Sequence, residues 1–284
     1  MLSIIPGLRM SRYYSALILL VAAIITACDS SFAQDTSHRS TAESELELTS
    51  PDGNIKLRVG LQEGKAYYAI DFHEQALIHA SQLGLVFESN ANFSNDLIII
   101  DSQRSEKDHT WTQPWGEEKE IRDHHRELAI QFAHRTSPES TALTLRFRAF
   151  NDGIGFRYEV PTQAGFPVGT DGKPSFALRD ELTEFHFEDN LRTWWIPAYL
   201  DNRYEYHYAS SPIDVLDVVH TPVTFESDAV AISIHEAALV DYSSMTLKRP
   251  RVHGQLLKAD LVPWPDGIKV RGSLPMQSPW RTVQ

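Results

Sequence analysis

The stretch "LTLRFRAFNDGIGFRYEV", Leu143 to Val160, decides the fold class. Leu143, Leu145 and Phe147 alternate with Thr144, Arg146 and Arg148. Asn151-Asp152-Gly153 then supplies residues suited to the positive φ of a tight turn, and Phe156, Tyr158 and Val160 alternate on the return. Period-two alternation interrupted by such a turn is the pattern of a half-buried β-hairpin.

Outward from this hairpin the same period recurs. "NIKLRVGL" points Ile55, Leu57, Val59 and Leu61 one way and Lys56 and Arg58 the other. "YAIDF" does so with Tyr68, Ile70 and Phe72, and "LAIQF" with Leu128, Ile130 and Phe132. "AVAISI" and "GIKVRGSL" read as later strands between turn residues. No capped amphipathic helix and no fixed-period repeat appears. Many strands punctuated by Gly, Pro, Asn and Asp imply an all-β fold, one large antiparallel β-sandwich over residues 46–284.

The 284 residues are 42% hydrophobic and 23% charged, with a formal net charge of -12. That length can bury a sizeable core, and the acidic balance excludes a nucleic-acid partner, which needs a basic footprint. Cys28 is the sole cysteine, so no disulfide and no cysteine-based metal site or nucleophile is available.

The N-terminus reads as a targeting segment, residues 1–33. Arg9 and Arg12 precede "ALILLVAAII", an apolar run of roughly ten residues, short of the ~20 that span a bilayer. "ITAC" at Ile25–Cys28 resembles a bacterial lipobox, which would place a lipid anchor on Cys28; "SFA" before Gln34 fits ordinary signal cleavage. Either implies export to the periplasm or the outer membrane of a Gram-negative bacterium. Residues 34–45 are polar and Ser/Thr-rich, the composition of a tether.

Familiar catalytic motifs fail. "HEAAL" at His235 lacks the second histidine of a zinc-protease helix and follows a strand. "GIGF" opens no helix and is no dinucleotide loop. There is no serine elbow or phosphate loop. Adjacent His124 and His125 point to opposite faces of any strand, and read as surface or loop residues. No pair of acidic residues stands out as acid and base. In "TWWIPAYLDNRYEYHY", Trp194, Trp195, Ile196 and Pro197 read as core and strand end. Pro197 and "LDN" then break the strand, leaving "RYEYHY" for a loop or a new short strand.

Several segments together resemble the N-terminal domain of glycoside hydrolase family 97, bacterial α-glycosidases. They are "SPDGNIKLRV", "SQLGLVF", "FRAFNDGIGFRYEV", "WWIPAY" followed by "NRYE", "TPVTF", "ISIHEAALVDYSSM" and the closing "SPWRTVQ". Their order runs from about Leu46 to Gln284. The resemblance implies a β-super-sandwich packed on a catalytic (β/α)8 barrel, hydrolysis of α-linked oligosaccharides, and calcium at the active site. Both catalytic carboxylates lie in the family's barrel, which this sequence lacks, so no catalytic residue is assigned and the chain reads as a truncated, inactive support domain. A glutamate of the family's "YE" motif reaches the active-site calcium, and Glu205 matches it. His235 and Glu236, at an expected strand end near His235, are substrate-side candidates. The alternative is a stand-alone carbohydrate-binding or interaction module that catalyses nothing.

Overall fold

A computed structural model describes residues 45–284 except 90–91, 189, 201–203 and 252–253. The expected signal segment, Cys28 and nearly all of the tether lie outside the described residues. The rest is β-structure in three antiparallel sheets, and the one helical element among the described residues is a 3-10 turn at Ile213–Val215.

The eight-stranded sheet runs, in spatial order, Leu46–Thr49, Ile55–Gln62, Lys65–Phe72, Gln75–Gln82, Glu184–Phe187, Leu256–Leu261, Met245–Lys248 and Val218–His220. The ten-stranded sheet begins with Ala209–Pro212, Arg192–Trp195, Val223–Glu226, Ala231–Ala237 and Trp280–Val283. It continues through Gly153–Val160, Leu143–Phe150, Glu120–His134 and Leu97–Thr112, with Met276–Gln277 paired beside Gly153–Val160. A smaller sheet orders Val270–Ser273, Ser175–Glu181, Leu85–Phe87 and Asn92–Phe93.

The alternation read from sequence is what closes the core. Leu57, Val59, Tyr68 and Ile70 face Leu128, Ile130, Leu145 and Phe156 in one continuous buried cluster. Tyr68 lies 5.0 Å from Phe156, ring to ring, and Phe187 4.4 Å from Phe225, so aromatic pairs bridge the two large sheets. Each such ring contributes roughly 1.5–3 kcal/mol through burial. The Tyr68 hydroxyl donates to the Glu184 carbonyl at 2.8 Å, which satisfies its polar end inside the core.

Four features differ from expectation. The hairpin turn is the two-residue Asn151-Asp152, with Gly153 already paired to Phe150, and none of the three has positive φ. Gly153 is needed instead because the last strand passes over it: a Cβ there would sit 2.4 Å from the Val283 carbonyl oxygen.

The second difference is the Leu97–Thr112/Glu120–His134 ribbon, far longer than "LAIQF" suggested. Its outer half shows almost no apolar alternation because it is exposed, and cross-strand ion pairs such as Arg122–Asp108 and Lys107–Asp123 lace it together. This ribbon carries His124 and His125 to opposite faces in regular strand. His125 is buried rather than a surface residue: it hydrogen-bonds Asp123 at 2.6 Å and lies against Phe150.

Third, Trp194 is not core. Its strand is paired on both sides, which turns Thr193 inward and Trp194 outward, under Arg192 and with its indole N–H donating to Glu226 at 3.0 Å. Fourth, the Ala231 strand runs on past His235 to Ala237, because Glu236 and Ala237 still pair with Arg281 and Trp280.

Candidate functional site

At that strand end the fold buries charge. Along Trp280–Val283 the alternation turns Arg281 and Val283 inward, so a full guanidinium enters the core with no solvent exposure. Its Nε and Nη2 donate to the two Glu181 carboxylate oxygens at 2.8 and 2.7 Å, and Nη1 to Glu236 at 2.5 Å. Glu181 also accepts the Thr183 hydroxyl at 2.9 Å and the Tyr242 hydroxyl at 3.0 Å. Glu236 accepts the Met245 backbone N–H at 3.0 Å, and Tyr158 shares a 2.8 Å hydrogen bond with Thr183.

Burial pushes the Glu181 carboxyl up, but Arg281 and the two hydroxyls outweigh it and hold the group below the usual carboxylate range. Burial lowers the affinity of Arg281 for its proton, and the charge of Glu181 more than reverses this. The cluster is thus a hydrogen-bonded ion network tying the small sheet, through Glu181, to the ten-stranded sheet through Glu236 and Arg281.

Beside it opens a groove of about 1320 Å³, whose lining includes Tyr242, Trp264, Trp280 and Gln277. Trp280 is held between two guanidinium groups, Arg148 at 4.5 Å and Arg157 at 4.6 Å from its ring centre. Those arginines belong to a ladder on the outer face of the sheet, in which Glu127 pairs with Arg146 and Arg148, and Glu159 with Arg146 and Arg157.

Glu205 is exposed and lies in irregular chain between a turn at Tyr204 and the strand Ala209–Pro212. Next to it, the Tyr204 ring stacks on His220 at 4.0 Å. Among the described residues neither buried His220 ring nitrogen has a hydrogen-bond partner, and burial holds its pKa below the ordinary histidine value. The Tyr204 hydroxyl is pushed up by burial and then by the charge of Glu236.

His235 and Glu236 are split by the strand. His235 is exposed, opposite Thr282, while Glu236 turns inward to Arg281. The structure does not gather Glu205 and these two into one cation site: among the described residues no group of three or more His, Cys, Asp or Glu side chains could hold a metal. Calcium takes six to eight oxygens, so the described residues do not form a calcium site by themselves. Glu205 offers one exposed carboxylate of suitable hard-oxygen chemistry.

Sequence reasoning missed Arg281, Glu181 and Tyr242. For Arg281 a signal existed, since it shares its strand face with Val283. Glu236 likewise shares a face with Ile232 and Ile234. Glu181 gave none: its strand slips register between Leu178 and Asp180, and this irregularity reverses the expected facing.

The comparisons with known proteins agree with this architecture. A family model, Glycosyl-hydrolase 97 N-terminal, matches residues 48–284. The chain is 21% identical over 221 residues to a retaining alpha-galactosidase of Bacteroides thetaiotaomicron, covering 72% of this chain and 30% of that protein. It is similar to the structure of a glycoside hydrolase family 97 enzyme from Pseudoalteromonas sp. strain K8 in complex with acarbose. There the TM-score is 0.77 at 41% identity, over 84% of this chain and 35% of that one. A beta-arabinopyranosidase structure shares the fold, with a TM-score of 0.72 at 21% identity over 85% of this chain and 40% of the other. The chain therefore spans only about a third of the length of the relatives it matches.

Proposed function

The chain belongs to the glycosyl-hydrolase 97 N-terminal family, and from that membership we propose that it is the calcium- and substrate-supporting β-sandwich of an α-glycosidase acting on α-linked oligosaccharides. The observation that carries this reading is the fate of the acidic groups. Glycoside hydrolysis needs two carboxyl groups free to flank the scissile bond. The two carboxylates the sandwich buries together, Glu181 and Glu236, are both bound to Arg281. In this reading the catalytic carboxylates lie in a (β/α)8 barrel, as the family resemblance implies, and this domain serves it.

In that arrangement Glu205 contributes one oxygen-donor side chain to a calcium ion whose other ligands come from the barrel. His235 and Glu236 serve the substrate side from their strand end. Glu236 does so as a positioning residue, because its bonds to Arg281 and to the Met245 N–H hold both ends of the 238–244 loop. Export, by a lipid on Cys28 or by ordinary cleavage before Gln34, completes the proposal, since it would place the domain where extracellular oligosaccharides arrive.

The test is turnover. Supplied with nitrophenyl α-glucoside or α-galactoside and excess calcium, the 284-residue chain should release no nitrophenol above the uncatalysed rate. Clear turnover would overturn the support role. The alternative, a carbohydrate-binding module that joins no catalytic domain, is favoured by one observation, the open groove beside Trp264.

A further inference from the structure

We infer that this groove is an oligosaccharide-binding cleft in its own right, separate from the Glu205 loop, and that Trp264 is its stacking platform. Four observations carry the inference.

The first is the presentation of Trp264. Trp264 is 58% exposed, which leaves an indole face open for a ligand to stack on. It stands between Pro263 and Pro265 in "VPWPDG", so its backbone is held extended by the following proline. The turn is closed by hydrogen bonds from Trp264 N–H to the Ile268 carbonyl at 2.8 Å and from Gly267 N–H to the Trp264 carbonyl at 2.9 Å. An exposed indole on a rigid support loses little entropy when a ligand stacks on it.

The second is another aromatic residue of the lining. Tyr242 also lines the groove, and its hydroxyl is fixed by the buried Glu181, with the Arg281 guanidinium 5.6 Å from its ring centre. The ion cluster thus pre-orients a second aromatic ring.

The third is charge. The groove's cations are already matched: Arg157 by Glu159, Lys269 by Asp260, Arg271 by Asp266. A polyanion therefore finds no unmatched cation there, and an uncharged ligand displaces no ion pair. The exposed side chains of Asp241 and Gln277 line the same groove and make no hydrogen bond to the described residues. A carboxylate and a carboxamide are planar groups that can bridge neighbouring hydroxyls.

The fourth is size. Ligand pockets for single small molecules run to about 1,000 Å³, and this groove is about 1320 Å³. It has room for several linked sugars. Aromatic faces, planar polar groups and matched cations together fit a neutral oligosaccharide.

The experiment titrates the chain with α-linked glucose oligomers of increasing length, following tryptophan fluorescence and calorimetric heat. The expected result is affinity that rises with oligomer length. Trp264→Ala should weaken it at least tenfold, and Gln277→Ala several-fold. Trp115→Ala, at a still more exposed tryptophan in the loop that joins the ribbon strands and outside the groove lining, should leave it within twofold. Trp264→Phe should recover part of the loss, which separates stacking from general damage. Absence of binding by every oligomer, or binding that Trp264→Ala leaves intact, would overturn the inference. So would a quencher that reaches Trp264 in the chain alone and is excluded, without oligosaccharide effect, once a catalytic domain is joined; the groove would then be a domain interface. The inference shares the carbohydrate setting of the proposed function, but its readout involves neither turnover nor calcium, so either can fail without the other.

Discussion

Arg281 and Glu181 form two parallel hydrogen bonds, 2.8 and 2.7 Å long, between side chains that are both fully buried. Glu236 is bound to the same guanidinium. The two segments that carry most of the family resemblance, "ISIHEAALVDYSSM" and "SPWRTVQ", therefore meet at one ion cluster.

Removing the cation should be costly. Arg281→Gln leaves two buried carboxylates without their partner, and breaking a buried pair in this way costs about 3–5 kcal/mol. Arg146→Gln on the outer ladder, whose side chain keeps 26% exposure, should cost less than that. Urea unfolding of the two variants beside the parent chain measures both.

The same cluster sets an acid limit. Glu181 is held below the ordinary carboxyl value, so the stability it contributes is present above about pH 4.3. It is lost as the pH falls from there through the lowered folded value. Stability measured downward from pH 6 should fall steeply in the parent chain, and Arg281→Gln should flatten that slope.

Gly153 should resist substitution for a reason unrelated to turn geometry. A Cβ at Gly153 would meet the Val283 carbonyl oxygen at 2.4 Å and the Gln284 Cα at 2.8 Å, whereas one at Gly155 meets only Trp280, at 3.5 Å. Gly153→Ala should lose about 1–3 kcal/mol by overpacking, and Gly155→Ala much less. Thermal melts of the pair decide it.

His220 offers a pH test of a different sign of partnership. With neither ring nitrogen bonded, its neutral form is favoured in the fold. Its contribution is complete above the ordinary value of about 6.5 and is lost as pH falls below that toward the lowered folded value. His220→Phe keeps the stack with Tyr204 and has no proton to gain. It should be neutral or stabilising at pH 7, and should abolish the part of the pH dependence that His220 contributes below about pH 6.5.

How far the molecule could be read in advance follows from which residues alternate. Leu143–Phe150, Gly153–Val160 and Ile55–Gln62 have one wet face and one dry face, and period two exposed them at once. Leu97–Thr112 is wet on both faces along most of its length, so its strand character rests on pairing with Glu120–His134, which no local pattern reveals. The charge cluster was hidden for another reason. A polar residue in an alternating strand is read as solvent-facing, yet Arg281 occupies the core-facing phase with Val283. The register slip before Asp180 concealed Glu181 altogether. Glu205 was legible only through the "YE" resemblance, since an exposed glutamate among tyrosines carries no signature of its own.

The central claim is that this sandwich lends Glu205 to a calcium ion completed by a catalytic domain. The most direct measurement is a calcium titration, after chelation, of a polypeptide that joins this domain to a family 97 barrel, with and without Glu205→Gln. The account predicts that Glu205→Gln weakens calcium binding at least tenfold and that activity recovers only at correspondingly higher calcium. A Glu205→Gln protein that binds calcium and regains activity along the same curve as its parent would contradict it.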